Sequence, residues 1–274
     1  MGLGDLTPDM REWEEGRKRY EEAVEPVRIG IVGKYTYLDD AYLSVIEAIK
    51  AAAVFHLRKA EIVWIDSEKL EEKDDDHWAR LKSVAGIVVP GGFGSRGIEG
   101  KILAAQFART KKVPYLGLCL GSQLMTIEFA RFALGDNSLT SEEFDEESKL
   151  SKEQYVVHFL PDQFRGKHMG GTMRLGKYVC TLKKGTKAHD AYGIDTVSER
   201  HRHRYEFNNN FRAPLEKLGF IISGEWKETG LMEIAELKDH PFMVGSQFHP
   251  EFQSRPHKPH PLFRALLKAA VQKV

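Results

Sequence analysis

Residues 113–125 read "VPYLGLCLGSQLM" and place a cysteine between two glycines at the end of an apolar run. A short apolar run that passes directly into helix-forming residues predicts a buried strand followed at once by a helix. Gly117-Leu118-Cys119-Leu120-Gly121 has the glycine-x-nucleophile-x-glycine spacing of a turn that exposes a nucleophile. The alternative is a buried thiol that packs as a small apolar side chain, because cysteine is among the most often buried residue types.

The chain before this segment alternates short apolar runs with amphipathic stretches. Apolar runs occur at residues 27–35, 61–66 and 85–92, each followed by a helical pattern or a polar stretch. Such alternation predicts an α/β fold with a mostly parallel central sheet, helices on both faces and ligands beyond the carboxyl ends of the strands. Further β-like runs after residue 154 predict additional strands in the C-terminal half, before a last amphipathic helix.

The N-terminal residues form a pattern of their own. A helix is predicted over residues 7–25, with Thr7 as N-cap, Pro8 in the first turn and Pro26 closing the segment. Its apolar stripe is thin and consists of Met10, Trp13, Tyr20 and Val24. We therefore interpret residues 1–26 as a linker or docking helix and residues 27–274 as one domain.

Composition narrows the class of partner. The 274 residues carry 40 basic and 40 acidic side chains, which does not favour binding to nucleic acid or to an anionic membrane. The two cysteines, Cys119 and Cys180, lie in unlike contexts, which argues against a disulfide framework or a zinc knuckle and fits a reducing cytoplasm. No apolar run approaches the roughly 18 residues of a membrane span. A cytoplasmic protein with a small-molecule substrate is expected.

The stretch "PGGFGSRG" contains Gly92-x-Gly94-x-x-Gly97 and superficially matches a dinucleotide-binding fingerprint. That fingerprint requires an acidic residue about 20 positions further on, and none is present there. A Walker A interpretation also fails, because Ile102 rather than serine or threonine follows Lys101. What remains is a loop whose free N–H groups can face a negative charge, such as an oxyanion beside a nucleophile.

A base for the cysteine is offered by "QFHPEF". In an extended segment His249 and Glu251 share one face, and a carboxylate beside an imidazole fixes its tautomer, as in a nucleophile-base-acid triad. By itself this pair is also compatible with an ordinary surface His–Glu contact.

The densest basic cluster is "ERHRHRYE" at residues 199–206. It is compatible with a solvated face, with a phosphate-binding patch, or with an arginine that clamps a substrate carboxylate. A metal pair through His201 and His203 has no further ligands at suitable spacing, so no metal is expected.

The chain contains, in order, the stretches "PGGFGSRGIEGK", "YLGLCLGSQ", "ERHRHRYEFN" and "QFHPEF". Together they resemble the glutaminase domain of the CTP synthase family, which is a class I, or triad, glutamine amidotransferase. The resemblance covers residue 27 to the C-terminus, and residues 7–25 resemble the linker to a synthetase domain. It implies that Cys119 forms a γ-glutamyl thioester, His249 transfers the proton and Glu251 orients His249.

The resemblance also implies a substrate site. Backbone N–H groups of Gly92 and Leu120 would form the oxyanion hole, and Arg96 matches a position associated with activation by GTP. Ser122 stands where the family usually has methionine. The positions implied for glutamine and the oxyanion are Gly92, Leu120, Gly121, Ser122, Gln123, Glu143 and Arg204.

Partners follow from the same resemblance. L-glutamine is the expected substrate, and a synthetase domain that aminates UTP is the expected recipient of ammonia, with ATP and Mg needed only there and GTP as an allosteric activator. No cofactor is expected in these residues, which do not resemble the ATP- and UTP-binding motifs, and the full-length enzyme is expected to be a homotetramer. The alternatives are a γ-glutamyl hydrolase, a glutaminase serving another synthetase, and a catalytically silent regulatory module.

Overall fold

The computed structural model describes residues 9–34, 39–145, 147, 149–159 and 173–273. The helices in these residues are α1 (Arg11–Glu22), α2 (Leu43–Phe55), α3 (Ser67–Glu71), α4 (Asp75–Lys82), α5 (Ile98–Lys111), α6 (Leu120–Leu134), α7 (Lys187–Tyr192), α8 (Arg212–Glu216) and α9 (Pro261–Lys273). The strands are β1 (Glu25–Gly33), β2 (Arg58–Asp66), β3 (Gly86–Val89), β4 (Tyr115–Leu118), β5 (Thr140–Ser141), β6 (Tyr155–Phe159), β7 (Arg174–Leu182), β8 (Thr196–His203), β9 (Tyr205–Phe207), β10 (Phe220–Trp226), β11 (Leu231–Leu237) and β12 (Met243–Ser246).

Nine of these strands form one main sheet in the order β2-β1-β3-β4-β12-β11-β10-β7-β8. The five strands from β2 to β12 pair in parallel, and the strands from β12 to β8 pair antiparallel. The predicted α/β fold with further strands in the C-terminal half is therefore confirmed. β12 lies beside β4, so the chain after Ser246 leaves the sheet next to Cys119.

Helices cover both faces of the main sheet, as predicted. Because successive strand residues point to opposite faces, Ile87 and Val89 face α5 and α6, whereas Val88 faces α2 and α9. Each face has its own apolar core of fully buried aliphatic side chains. The two cores pack against the parallel strands from opposite sides, and the carboxyl edge of these strands carries the residues predicted to be functional.

A second, small sheet has the order β5-β6-β9. The run "HRHRYEFN" looks like one strand in the sequence, but the structure divides it: β8 ends at His203 in the main sheet, and β9 begins at Tyr205 in the small sheet. Arg204 lies at the crossing point. The short helices α7 and α8 were also not anticipated from the sequence.

The N-terminal helix α1 begins at Arg11, with Met10 at its N-cap, and none of its residues is buried. Thr7 and Pro8, the predicted cap, lie outside the described residues. Trp13 contacts the ring of His257 at a centroid distance of 5.1 Å. The proposed boundary at residue 26 stays a prediction, although β1 already begins at Glu25. Within the described residues, no helix has the length and apolar content that crossing a bilayer requires.

Candidate active site

Cys119 lies in the sharp turn between β4 and α6, with φ of 50°, in the left-handed region that non-glycine residues rarely adopt. Both flanking glycines are required by close backbone contacts. A Cβ on Gly121 would lie 2.0 Å from the carbonyl oxygen of Val89, and one on Gly117 would lie 2.5 Å from the carbonyl oxygen of Gly121. The sequence thus forces α6 against the strands and holds Cys119 at their carboxyl edge.

His249 and Glu251 meet through a hydrogen bond of 2.7 Å between Nδ1 and Oε1. The extended geometry expected for this pair was wrong: residues Pro250–Gln253 form a 3-10 turn, and this turn brings the carboxylate back to the imidazole. The ring of Phe252 stacks on that of His249 at a centroid distance of 5.1 Å. The imidazole is therefore fixed by a carboxylate at one edge and an aromatic ring on one face.

The protonation of His249 is set by its neighbours. Burial by itself would lower the pKa of His249, but hydrogen bonds to Cys119 and Glu251 outweigh burial and raise this pKa to about 10. With Nδ1 bound to Glu251, the other ring nitrogen is the one that serves Cys119. The arrangement favours an imidazolium beside the sulfur of Cys119. Cys180, by contrast, is fully buried in β7, and burial raises the pKa of its thiol, so it is the less reactive cysteine.

A cavity of about 590 Å³ opens in front of Cys119. Its lining residues include strand residues of both sheets, residues that follow strands, and the start of the glycine-rich loop, which we define as residues 91–97. They are Ala41, Gly91, Gly92, Phe93, Cys119, Gln123, Glu143, Met173, Arg202, His203, Arg204, Tyr205 and His249. The cavity therefore joins Cys119 and His249 to a carboxylate and two arginines.

Several of the residues predicted for substrate binding line this cavity: Gly92, Gln123, Glu143 and Arg204. Leu120, Gly121 and Ser122 lie in the first turn of α6 behind Cys119. The side chain of Ser122 faces the main sheet, since a Cβ on Gly245 would lie 2.5 Å from its hydroxyl oxygen. Leu120 is buried and Gly121 has no side chain, so their backbone N–H groups are what these two residues can offer to a ligand.

Glu143 and Arg204 carry opposite charges at one cavity. Burial raises the pKa of Glu143, whereas the N–H of Gly94 and the charges of Lys34 and Arg204 lower it. Arg96, predicted for activation, is about half exposed and forms an ion pair with Glu68 at 2.9 Å.

Sequence reasoning missed Gln247, which connects Cys119 to Gln123, two positions predicted to be functional. Its Nε2 lies 3.8 Å from the sulfur of Cys119, and its Oε1 accepts a hydrogen bond of 3.1 Å from Nε2 of Gln123. Nε2 of Gln123 also donates to the carbonyl of Tyr205 at 3.1 Å. Both donors of Gln123 are thus used inside the protein, and its amide oxygen is the group it can offer to a ligand. The only sequence signal was the position of Gln247, two residues before His249.

The side chains of the basic cluster at residues 199–206 are divided between two faces, because successive side chains of β8 alternate between buried and exposed. Glu199, His201 and His203 point inward, whereas Arg200 and Arg202 are exposed. Nδ1 of His201 lies 2.9 Å from Nε2 of His203, so the two rings share a hydrogen bond. Among the described residues, one His-carboxylate group has metal-like spacing, Asp74, Asp76 and His77.

Behind the cluster lies a buried cation, Arg174. It pairs with Glu206 and Glu233, at 2.8 Å in each case. Burial raises the pKa of Glu206 to about 8 and that of Glu233 to about 7, although the arginine opposes both shifts.

Comparisons with known proteins agree with this geometry. The family model described as "Glutamine amidotransferase class-I" matches residues 37–269. The chain is 52% identical over 272 residues to a CTP synthase of Carboxydothermus hydrogenoformans and 51% identical over 273 residues to one of Roseiflexus castenholzii. These alignments cover 99% of the chain but 50% and 48% of the relatives, so the chain spans about half their length.

One solved structure is similar to this chain over nearly the whole length of both. It is the glutaminase domain of Trypanosoma brucei CTPS with bound acivicin, with a TM-score of 0.82 and 36% sequence identity. The match covers 90% of this chain and 95% of that one.

Proposed function

Because the chain belongs to the class I glutamine amidotransferases and matches the glutaminase domain of CTP synthases, we propose that it hydrolyses L-glutamine to glutamate and ammonia through a thioester on Cys119. The observation that carries the proposal is the hydrogen-bonded line from Cys119 through His249 to Glu251 at the wall of one cavity. A thiolate held beside an imidazolium is the ground state of a cysteine nucleophile.

In the acylation half, the sulfur of Cys119 attacks the carboxamide carbon of glutamine. The carbonyl oxygen becomes an oxyanion, and the C–N bond breaks as His249 gives its proton to the leaving nitrogen. Ammonia leaves and a γ-glutamyl thioester remains. Glu251 holds Nδ1 of His249 and stabilises the imidazolium whenever it forms.

In the deacylation half, His249 is neutral and takes a proton from water. The resulting hydroxide attacks the thioester carbon, the C–S bond breaks, and glutamate leaves. The thiolate and the imidazolium are then restored. Backbone N–H groups of Gly92 and Leu120 hold the oxyanion in both halves, and each such donor lowers the barrier by roughly 3 kcal/mol.

Charge complementarity supports glutamine as the substrate. A free amino acid presents an ammonium and a carboxylate, and the cavity presents Glu143 and Arg204. The amide oxygen of Gln123 is available to accept from an N–H of the substrate. These groups bind the amino-acid end while the carboxamide reaches Cys119.

The longer relatives suggest where the ammonia goes. We place this chain as the glutaminase part of a CTP synthase, which delivers ammonia to a synthetase domain that uses ATP and Mg to aminate UTP in a cytoplasmic homotetramer. GTP acts as an activator through the glycine-rich loop, where Arg96 is held by Glu68. No cofactor is needed for the glutaminase half.

The test is steady-state hydrolysis of L-glutamine, with ammonia and glutamate measured together. Equal amounts of both products are expected, and Cys119→Ala should abolish them while Cys180→Ala should not. The assay is run with and without the remaining half of a related CTP synthase, ATP, UTP and GTP. Faster turnover of γ-glutamyl peptides than of glutamine would instead indicate a γ-glutamyl hydrolase. No turnover in any mixture would indicate a silent regulatory module.

A further inference from the structure

Lys34 follows directly after β1 and lies under the glycine-rich loop. Its side chain is 4% exposed, and its Nζ donates hydrogen bonds of 2.8 Å to the carbonyl of Phe93 and 2.9 Å to the carbonyl of Gly94. Burying an ammonium is costly unless its hydrogen bonds are satisfied. Here the partners are backbone carbonyls, so the cation and the loop backbone depend on each other.

The same stretch of loop is held from the other side by an anion. Oε1 of Glu143 accepts a hydrogen bond of 2.9 Å from the N–H of Gly94. The peptide group between Phe93 and Gly94 is therefore bound at its oxygen by Lys34 and at its nitrogen by Glu143. Because a peptide group is planar, binding both ends fixes the orientation of the whole plane.

Neither Phe93 nor Gly94 fixes the orientation of this peptide group by itself. The side chain of Phe93 is 79% exposed, and Gly94 has φ of 76°, which glycine adopts without strain but also leaves freely. Gly92, whose N–H is assigned to the oxyanion, is only one residue away from the bound peptide group. An N–H that turns away from the developing charge forfeits roughly a hundredfold or more in rate.

We propose that Lys34 is a positioning residue for the oxyanion hole: by holding the carbonyls of Phe93 and Gly94 it keeps the N–H of Gly92 directed at the carbonyl oxygen of the substrate. The inference rests on the proposed glutaminase function. It also gives Glu143 two tasks, since one of its oxygens holds the loop while the other remains for the substrate ammonium.

The test distinguishes a defect in the oxyanion hole from a loss of reactivity at Cys119. Lys34→Met keeps the aliphatic stem and removes the ammonium, and Lys82→Met, at an exposed position of α4, is the matched control. For glutamine we expect kcat to fall about 30-fold with KM changed less than about threefold. Alkylation of Cys119 by iodoacetamide forms no oxyanion, so its rate should stay within about twofold of wild type.

A second readout does not depend on turnover. Amide hydrogen exchange of a peptide covering the glycine-rich loop should become at least about tenfold faster in Lys34→Met than in Lys82→Met. Lys34→Arg, whose guanidinium can still donate to two carbonyls, should recover most of the lost kcat.

Unchanged exchange, an unchanged kcat, or an equal loss of alkylation and turnover would each overturn the proposal. If wild-type protein hydrolyses no glutamine, the proposed function fails, whereas hydrogen exchange still decides whether Lys34 holds the loop.

Discussion

The side-chain amide of Gln247 donates a hydrogen bond to the sulfur of Cys119, with 3.8 Å between Nε2 and Sγ. Its orientation is fixed at the other end, because its oxygen accepts from Gln123. An N–H directed at a sulfur stabilises negative charge there, so Gln247 is placed to support the nucleophile that we propose at Cys119.

Replacing Gln247 by glutamate keeps the shape but exchanges a donor for an acceptor beside the sulfur. We expect Gln247→Glu to lower kcat/KM about 100-fold, and Gln247→Met, which only removes the donor, to lower it about tenfold. Alkylation of Cys119 should slow in the same order. If both variants alkylate like wild type, the contact with Cys119 has no effect on reactivity.

Arg204 is expected to bind the α-carboxylate of glutamine. Arg204→Ala should lower kcat/KM for glutamine by roughly 2–5 kcal/mol in transition-state terms if the charge pair is desolvated. Turnover of 4-aminobutanamide, which lacks that carboxylate, should hardly change. Arg200→Ala, on the outward face of β8, is the control. An equal loss for both amides would contradict the assigned role.

Gly121 permits the close approach of α6 to Val89, where a Cβ would lie 2.0 Å from the carbonyl oxygen. Gly121→Ala should therefore destabilise the fold by about 3 kcal/mol or more. Gly16→Ala in α1 meets no atom within 4 Å and should change stability by less than about 1 kcal/mol. Thermal unfolding of both variants checks this, and a Tm for Gly121→Ala near that of wild type would refute it.

Lys101 is fully buried, and its Nζ has no hydrogen-bond partner among the described residues. Burial lowers the pKa of Lys101 to about 7; the charge of Lys34 adds to this, and a charge on Cys119 opposes it. The unfolded chain therefore holds a proton between pH 7 and 10.5 that the folded chain lacks. The free energy of unfolding rises with pH over that window, because the cost of burying this amine falls.

Lys101→Met removes the cost of the buried amine. We expect its Tm to exceed that of wild type by at least about 2 °C at pH 6.5, with a smaller gain at pH 9. Lys82→Met should leave the pH dependence of Tm unchanged. If the Tm gain instead grows with pH, the pKa of Lys101 is not lowered in the folded protein.

The parallel half of the fold was predictable because its signals are local. Each strand up to β4 is a short apolar run, and the glycines around Cys119 report a backbone contact that no other residue tolerates. The position of β12 beside β4 was not predictable, because that pairing joins residues more than 120 positions apart. It is this pairing that brings His249 to Cys119.

The candidate site was predictable where residue type and spacing carry the chemistry, as at Cys119, His249 and Glu251. Gln247 and Lys34 were missed because their roles arise from contacts with backbone or side chains distant in sequence. The break at Arg204 between β8 and β9 was missed because both sides have the same alternating pattern.

Arg174 joins the two sheets through one guanidinium: it binds Glu233 on β11 of the main sheet and Glu206 on β9 of the small sheet. Cys119 follows a strand of the main sheet, and Glu143 follows β5 of the small one. The buried arginine therefore couples the sheet that positions Cys119 to the sheet that positions Glu143. A change at Arg174 would therefore reach the cavity from behind, through the relative position of the two sheets and without touching Cys119 or Glu143.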